Sequence, residues 1–192
     1  MADEITVRHE APPTHPEGQY QAVCVDVIDL GEKLEQFQNQ PPEIVPKVVV
    51  VWQSKEIEPR TGKRYEIAKE YTKSFGRKSN LRKDLGNWRG KSYDDAEAQK
   101  GIPLHRLTGV NCFLTIEHKT SGSGNTYARV TNIMPIVKDV MKPMQAEGYE
   151  RAEFWAKRKQ EYADRVAEFR AKAAPPSDEE FAAATAVDNL PF

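Results

Sequence analysis

Four consecutive valines, Val48 to Val51, followed by Trp52, constrain this chain more than any other stretch. β-Branched side chains lose rotamer freedom in a helix and pack well on a pleated surface, so the run reads as a strand. Successive strand residues point to opposite faces. A strand with one wet face would alternate apolar with polar; Lys47 to Ser54 does not, and so reads as a strand buried on both faces.

Its neighbours show the alternation it lacks. Gln19 to Leu30 alternates, with Val23, Val25 and Val27 on one face and Tyr20, Ala22, Cys24 and Ile28 on the other, and Gly31 ends it. Residues 32–46, rich in Gln, Glu and Pro, read as a long loop. Pro59-Arg60-Thr61-Gly62-Lys63 signals a turn, after which Arg64 to Phe75 alternates as a third strand. Helical signals follow: Ser79 as N-cap of Asn80 to Trp88, Gly90 as the stop, and Ser92 as cap of a second turn with Asp94 and Asp95 at its positive end. Gly109 opens a strand from Val110 to His118, the Gly/Ser-rich segment from Lys119 to Asn125 is a hairpin loop, and Thr126 to Val137 returns as the fifth strand. Three strands, a helical insertion and two more strands give the layout of a mainly β chain, a five-stranded OB-fold barrel spanning residues 18–140. Residues 1–17, with Pro12, Pro13 and Pro16, read as a flexible lead-in.

The last third changes character. Residues 146–173 lack proline and are dense in Ala, Glu, Lys and Arg, with Ala152, Trp155, Tyr162, Val166 and Phe169 recurring at helical spacing. That stripe predicts a helix whose apolar face is core or a packing face, a dimer seam or a mobile clamp over DNA. Residues 174–192 read as a disordered acidic tail.

Composition limits what such a chain can do. Its 192 residues accommodate one ordinary domain plus appendages, enough to bury a core without metals or disulfides. No apolar run approaches the roughly 20 residues of a membrane span. Met1-Ala2-Asp3-Glu4 shows no basic-then-apolar leader, so a cytoplasmic location is expected. Cys24 and Cys112 stand singly in apolar runs, as buried reduced thiols do. With four scattered histidines they offer no closely spaced ligand pairs, and neither a metal nor another cofactor is expected. A net charge of −1 conceals an asymmetry. From Arg60 to Lys91 eleven basic residues stand against three acids, a net +8, whereas nothing basic follows Lys172 and Asp178, Glu179, Glu180 and Asp188 do. A basic centre with an acidic end points to nucleic-acid binding combined with an interaction tail.

An OB barrel holds a strand across its second and third strands and between the loops joining strands one to two and four to five. A single strand needs cations along its phosphates and flat rings in place of base stacking, the latter worth about 1–3 kcal/mol per base. The region interleaves both: Trp52, Arg64, Tyr65, Lys69, Tyr71, Lys73 and Phe75, with Lys119 and Tyr127 at the Gly/Ser loop. Tyr65, Ile67, Lys69, Tyr71, Lys73 and Phe75 share one strand face, which is either the DNA platform or a core face with lysines at its rims. Trp52 divides the same way. In the helical insertion Leu81, Leu85 and Trp88 fall at i, i+4 and i+7 and plug the barrel end, with Trp88 kept as a candidate contact too. Arg77, Lys78, Arg82, Lys83 and Arg89 then remain outward, as a solvated basic face or as phosphate contacts.

The closing residues, Asp188-Asn189-Leu190-Pro191-Phe192, place an apolar ring behind an acidic stretch. A partner needs only a hydrophobic pocket with basic residues around it. This ending resembles the tip of bacterial single-stranded DNA-binding proteins, acidic residues followed by a hydrophobic residue, Pro and Phe; Asn189 stands where that family usually has an acid. The resemblance implies that Asp188, Leu190, Pro191 and Phe192 recruit replication, repair and recombination proteins. The body, residues 18–137, is similar to phage-encoded single-stranded DNA-binding proteins in Gly18-Gln19-Tyr20, Asp29-Leu30-Gly31, Val50-Val51-Trp52, Lys78-Ser79-Asn80-Leu81-Arg82-Lys83 and Trp88-Arg89-Gly90. That similarity implies an OB fold, sequence-nonspecific strand binding and protection of exposed single strands, in the host bacterial cytoplasm.

Other readings stay open. An enzyme would need paired carboxylates with a metal, a nucleophile beside a base, or a phosphate-cradling loop; none is visible, and no catalytic residue is expected. An OB-fold adaptor would bind protein with its barrel and use the tail to compete for host factors. Duplex DNA is a weaker expected partner, because phosphate attraction ignores strandedness while ring stacking favours single strands. The expected mechanism is stoichiometric binding, with the acidic tail competing for the basic face when DNA is absent.

Overall fold

The computed structural model describes residues 14–137 and 139–173. Five strands, β1 (Gly18–Glu35), β2 (Glu43–Ile57), β3 (Arg64–Thr72), β4 (Asn111–Thr120) and β5 (Thr126–Met134), form one antiparallel sheet in the order β3-β2-β1-β4-β5. Between β3 and β4 lie α1 (Asn80–Arg89), α2 (Asp95–Gln99) and a 3-10 turn, Leu104–Leu107; α3 (Glu153–Ala173) follows the sheet. The chain is therefore mainly β, with a helical insertion and a C-terminal helix.

The closed barrel expected from the sequence is not what forms. β3 and β5 are the sheet's two edges, and they approach within 8 Å between Cα atoms. No ladder joins them among the described residues. α1 packs against both edges, at one end of the gap left between them. Its Asp84 receives Lys69 Nζ at 2.7 Å and the Tyr71 hydroxyl at 2.9 Å, both from β3. Its Asn87 Nδ2 donates to Asn132 Oδ1 of β5 at 3.4 Å.

α1 has the boundaries its sequence signals. Ser79 accepts from the Arg82 N–H, and Gly90 ends the helix at φ 73°, a left-handed conformation that its missing Cβ permits. α2 is capped by Asp94, not by Ser92. The Asp94 carboxylate accepts from the Glu97 N–H and Glu97 reaches back, a reciprocal box that a hydroxyl two residues earlier does not make.

β1 also departs from its reading. It does not end at Gly31 but passes through it, with φ 75° at a register shift between Asp29 and Gly31, and runs on to Glu35. The expected 32–46 loop shrinks to residues 36–42. A second shift, between Cys24 and Asp26, inserts one residue and changes the phase of the alternation. Val23 and Val25 therefore lie with Ile28 and Leu30, while Val27 faces the side of Ala22 and Cys24.

Those two sides are two cores. On one, Val48, Val50, Trp52, Ile67 and Tyr71 pack beneath Leu81, Leu85 and Trp88 of α1. On the other, Val23, Leu30, Val49 and Val51 pack beneath Met144 and Trp155. The valine run is covered on both faces because α1 sits on one and α3 on the other. The α3 stripe is thus a packing face: Trp155 and Val166 are buried, Tyr162 and Phe169 half-buried, and Ala152 lies outside the helix, exposed.

The connector into α3 is latched by side-chain amides acting as ladder partners. Asn111 and the Met144 backbone exchange two hydrogen bonds, at 2.7 and 2.9 Å; Gln53 and the Glu147 backbone exchange two more, both 2.9 Å. Beyond them, Asp26 accepts from the Tyr149 hydroxyl at 2.8 Å and from two Arg151 nitrogens at 2.7 Å. Burial opposes the Asp26 charge, but those bonds outweigh it and hold the carboxyl below its usual range.

The flexible lead-in predicted for residues 1–17 fails at its end. His15 is 4% exposed. Its Nε2 lies 2.7 Å from Ser54 Oγ, and its ring packs on Tyr20 and Tyr65. The rest of that segment, 1–13, and the tail 174–192 with Asp188, Leu190, Pro191 and Phe192 lie outside the described residues. Cys24 and Cys112 are buried and unpaired, and burial pushes the Cys24 thiol up to about 12. Among the described residues no helix is long and apolar enough to cross a membrane.

Candidate nucleic-acid interface

The gap between the sheet edges is a groove of about 850 Å³. β3 from Ala68 to Thr72 forms one wall, β5 from Tyr127 to Val130 the other, and the turn into α1 closes one end. An edge strand uses its ladder groups on one side only, so both walls carry backbone N–H and C=O groups with no strand partner.

Two rings stand in solvent at this groove. Phe37, from the β1–β2 loop, is 63% exposed, and Tyr127, just after the β4–β5 loop, is 47% exposed. The neighbouring Gln38 turns that loop at φ 46°, and a seven-residue polar loop has nothing with which to cover Phe37. A ring exposed in this way can take a base on its face. Lys78 and Arg129 line the groove as well, both exposed and without an ion-pair partner among the described residues.

The floor is charge-compensated. Lys47, buried, contacts Glu35 at 2.9 Å and donates to Thr72 Oγ1 at 2.9 Å. Lys33 bridges Glu35 at 3.2 Å and Glu70 at 3.1 Å, and Tyr162 of α3 donates to Glu70 at 2.8 Å. Burial works against the Lys33 charge, yet its two carboxylate partners hold its pKa above the usual lysine value. This network ties α3 to the underside of the groove.

Several residues offered by the sequence as DNA contacts are core residues. Trp52 is fully buried, with its ring centre 5.9 Å from that of Trp88. Trp88 is buried and donates Nε1 to the Asn111 carbonyl at 2.8 Å. Tyr71 is buried on Asp84 and Tyr65 on His15. None of these four rings presents a face to a base, because the inner side of β3 and β2 lies under α1 and the N-terminal segment. Phe75 is half-buried with its ring centre 5.0 Å from that of Tyr93.

Most of the predicted cations have protein partners. Lys69 is held by Asp84, Lys73 by Asp29 at 2.6 Å, and Lys119 by Glu117 at 3.3 Å. Arg64 donates to the Gln145 carbonyl and to Glu147, and so belongs to the connector latch. Arg77 and Arg82 converge on Asp95, drawing its carboxyl down to about 2. Arg89 pairs with Glu97 at 2.8 Å and lies over the Tyr93 ring. Lys78 and Lys83 alone of the predicted insertion cations remain exposed and unpaired among the described residues.

The structure thus brings Lys69, Tyr71, Lys78 and Tyr127 to one groove, Tyr71 with its ring buried, and adds Phe37 and Arg129, which the sequence does not single out. Phe37 had a visible signal, a single aromatic in the polar run Gln36-Phe37-Gln38-Asn39-Gln40. Arg129 had none beyond its place on the outer side of the last strand. Among the described residues no group of three or more His, Cys, Asp or Glu stands where it could hold a metal ion. No known protein-family model matches the chain, and no curated protein is significantly similar to it.

Proposed function

We propose that the protein binds single-stranded DNA without sequence preference, along the groove between β3 and β5, as a stoichiometric binder and not a catalyst. The observation that carries this reading is the placement of two solvent-exposed rings, Phe37 and Tyr127, with two cations, Lys78 and Arg129, that have no ion-pair partner among the described residues, around one open groove. Rings take unstacked bases and the cations follow phosphates; a duplex keeps its bases stacked inside and offers the rings nothing.

The strand order and the helical insertion after β3 support reading the sheet as an OB barrel opened between its third and fifth strands. In such a barrel the ligand runs between the loops joining strands one to two and four to five, and Phe37 and Tyr127 sit at those two loops. The biological setting consistent with the sequence resemblance is phage DNA replication and recombination in the host cytoplasm. Asp188, Leu190, Pro191 and Phe192 would then recruit partner proteins.

Titration of a labelled dT oligonucleotide and a duplex of equal length at two salt concentrations tests the reading. Binding favours the single strand and weakens with salt by counterion release, with a log–log slope of about −0.7 per phosphate contact. No binding to either at low salt sinks it. A protein-interaction adaptor is the second reading, and an apolar groove at the other end of α1 favours it.

A further inference from the structure

The β3–β5 groove ends at the first turn of α1, where Lys78 and Ser79 line it. The residue before them, Arg77, lines a second cleft beside α1, of about 330 Å³. Arg77, Arg82, Lys83, Asn87 and Ser92 give that cleft three cations and two neutral hydrogen-bonding side chains, and none of its described lining residues is acidic. The loop after α1 forms its other wall by lying directly on the helix. A Cβ on Gly86 would stand 3.4 Å from Ser92 Cα, and Arg82 donates to the Tyr93 carbonyl at 2.7 Å.

The cleft carries an excess of positive charge. Asp95 partners both Arg77 and Arg82, so one carboxylate stands against two guanidinium groups. Lys83 is exposed and has no ion-pair partner among the described residues. The same holds for Lys91, in an adjoining groove that shares Asn87 and Ser92. The Arg77 side chain is 81% exposed, and an exposed ion pair contributes little, so Arg77 exchanges Asp95 for a phosphate at small cost.

What the cleft lacks is an open ring. Its aromatic lining residue, Tyr93, lies under the Arg89 guanidinium at 3.5 Å and meets Phe75 edge-on at 5.0 Å. The β3–β5 groove is built the other way, with Phe37 and Tyr127 open and its cations offset by Glu35 and Glu70. Cations without stacking faces suit phosphates whose bases are already stacked, which is what a duplex presents.

We propose that this cleft is a phosphate site for a duplex arm, so that the protein seats a junction between single strand and duplex at the start of α1. The strand lies in the β3–β5 groove, and the adjoining duplex backbone lies on Arg77, Lys83 and Lys91, with Arg82 as the positioning residue that fixes the cleft wall. The inference rests on the proposed single-strand site and adds a second contact to it. It gives a stoichiometric binder a preference for the boundary of an exposed strand over its middle.

Fluorescence anisotropy of the full chain tests this with four probes: a dT oligonucleotide, the same dT as a tail on a duplex in either polarity, the blunt duplex, and dT lengthened by the size of the duplex arm. The tailed duplex of one polarity binds at least fivefold tighter than dT, with a log–log salt slope steeper by about 0.9 per added phosphate contact. The blunt duplex binds weakest, and the lengthened dT, corrected for its extra registers, stays within twofold of dT. Arg77→Gln with Lys83→Gln, both at exposed positions, brings the tailed duplex within twofold of dT and leaves dT itself within twofold of the parent. Lys157→Gln, an equal charge change at an exposed position of α3, keeps the advantage. No advantage for either tailed duplex, an equal gain for the lengthened dT, an advantage that survives the double variant, or one lost equally in Lys157→Gln overturns the proposal while dT binding stands. A parent chain that does not bind dT overturns the proposed function itself, and this inference with it.

Discussion

Tyr71 on β3 donates its hydroxyl to the Asp84 carboxylate on α1 at 2.9 Å, and both groups are buried. Burial, then the neighbouring Asp84 charge, push the phenol well above its ordinary value, so it remains a donor at any physiological pH. Lys69 shares the same carboxylate oxygen at 2.7 Å. These bonds hold α1 against one edge of the sheet. Tyr71→Phe removes a bond to a charged acceptor and lowers unfolding stability by about 1.5–3 kcal/mol. Asp84→Ala also strands Lys69 and lowers it by about 3 kcal/mol. Urea titration measures both, and dT affinity of Tyr71→Phe stays within about twofold of the parent.

Phe37 and Tyr127 are exposed, so truncating them leaves no cavity. Phe37→Ala and Tyr127→Ala each remove a stacking platform worth about 1–3 kcal/mol, a roughly five- to 150-fold loss of dT affinity. Their melting temperatures stay within a degree or two of the parent. Fluorescence anisotropy and thermal melts on the same preparations separate the two effects.

Arg82 donates to the Tyr93 carbonyl at 2.7 Å and to Asp95 at 3.0 Å. It is a cross-tie between α1 and α2 more than a free phosphate ligand. Arg82→Gln accordingly speeds hydrogen exchange across residues 92–99 and leaves dT affinity within about threefold. Lys78→Ala, at an exposed cation of the groove, has the opposite profile: unchanged exchange and a shallower salt dependence.

Burial lowers the pKa of His15 below the ordinary histidine value of about 6.5, overriding its hydrogen bond to the Pro16 carbonyl. The folded state therefore binds fewer protons than the unfolded chain between the two values. The His15 contribution to stability is complete above about pH 6.5 and is lost as pH falls through the lowered folded value. Urea midpoints measured from pH 7.5 to 5 fall more steeply for the parent than for His15→Asn.

The valine run dictated a strand covered twice, and Ser79 with Gly90 dictated the bounds of α1, because these signals are local. The ring closure was not legible. It turns on whether β3 and β5 pair, a relationship between residues far apart in the chain, as is that of Asp84 with Lys69 and Tyr71. The rings stay undecided in the sequence for a related reason. Alternation sorts Tyr65 and Tyr71 onto one face but does not say whether a helix covers that face. Gln53, inside β2, and Asn111, at the start of β4, gave no signal at all, since a polar strand residue looks solvated until the backbone of Glu147 or Met144 arrives to pair with it.

The proposed function stands or falls on whether a single strand lies between β3 and β5. Photo-crosslinking of the full chain to a dT oligonucleotide carrying 5-iodouracil, with the attached residues mapped by mass spectrometry, addresses it directly. Attachment is expected at Phe37 and Tyr127 and is lost in the corresponding alanine variants. Attachment confined to α3 or to the outer face of α1, with neither Phe37 nor Tyr127 modified, would contradict it.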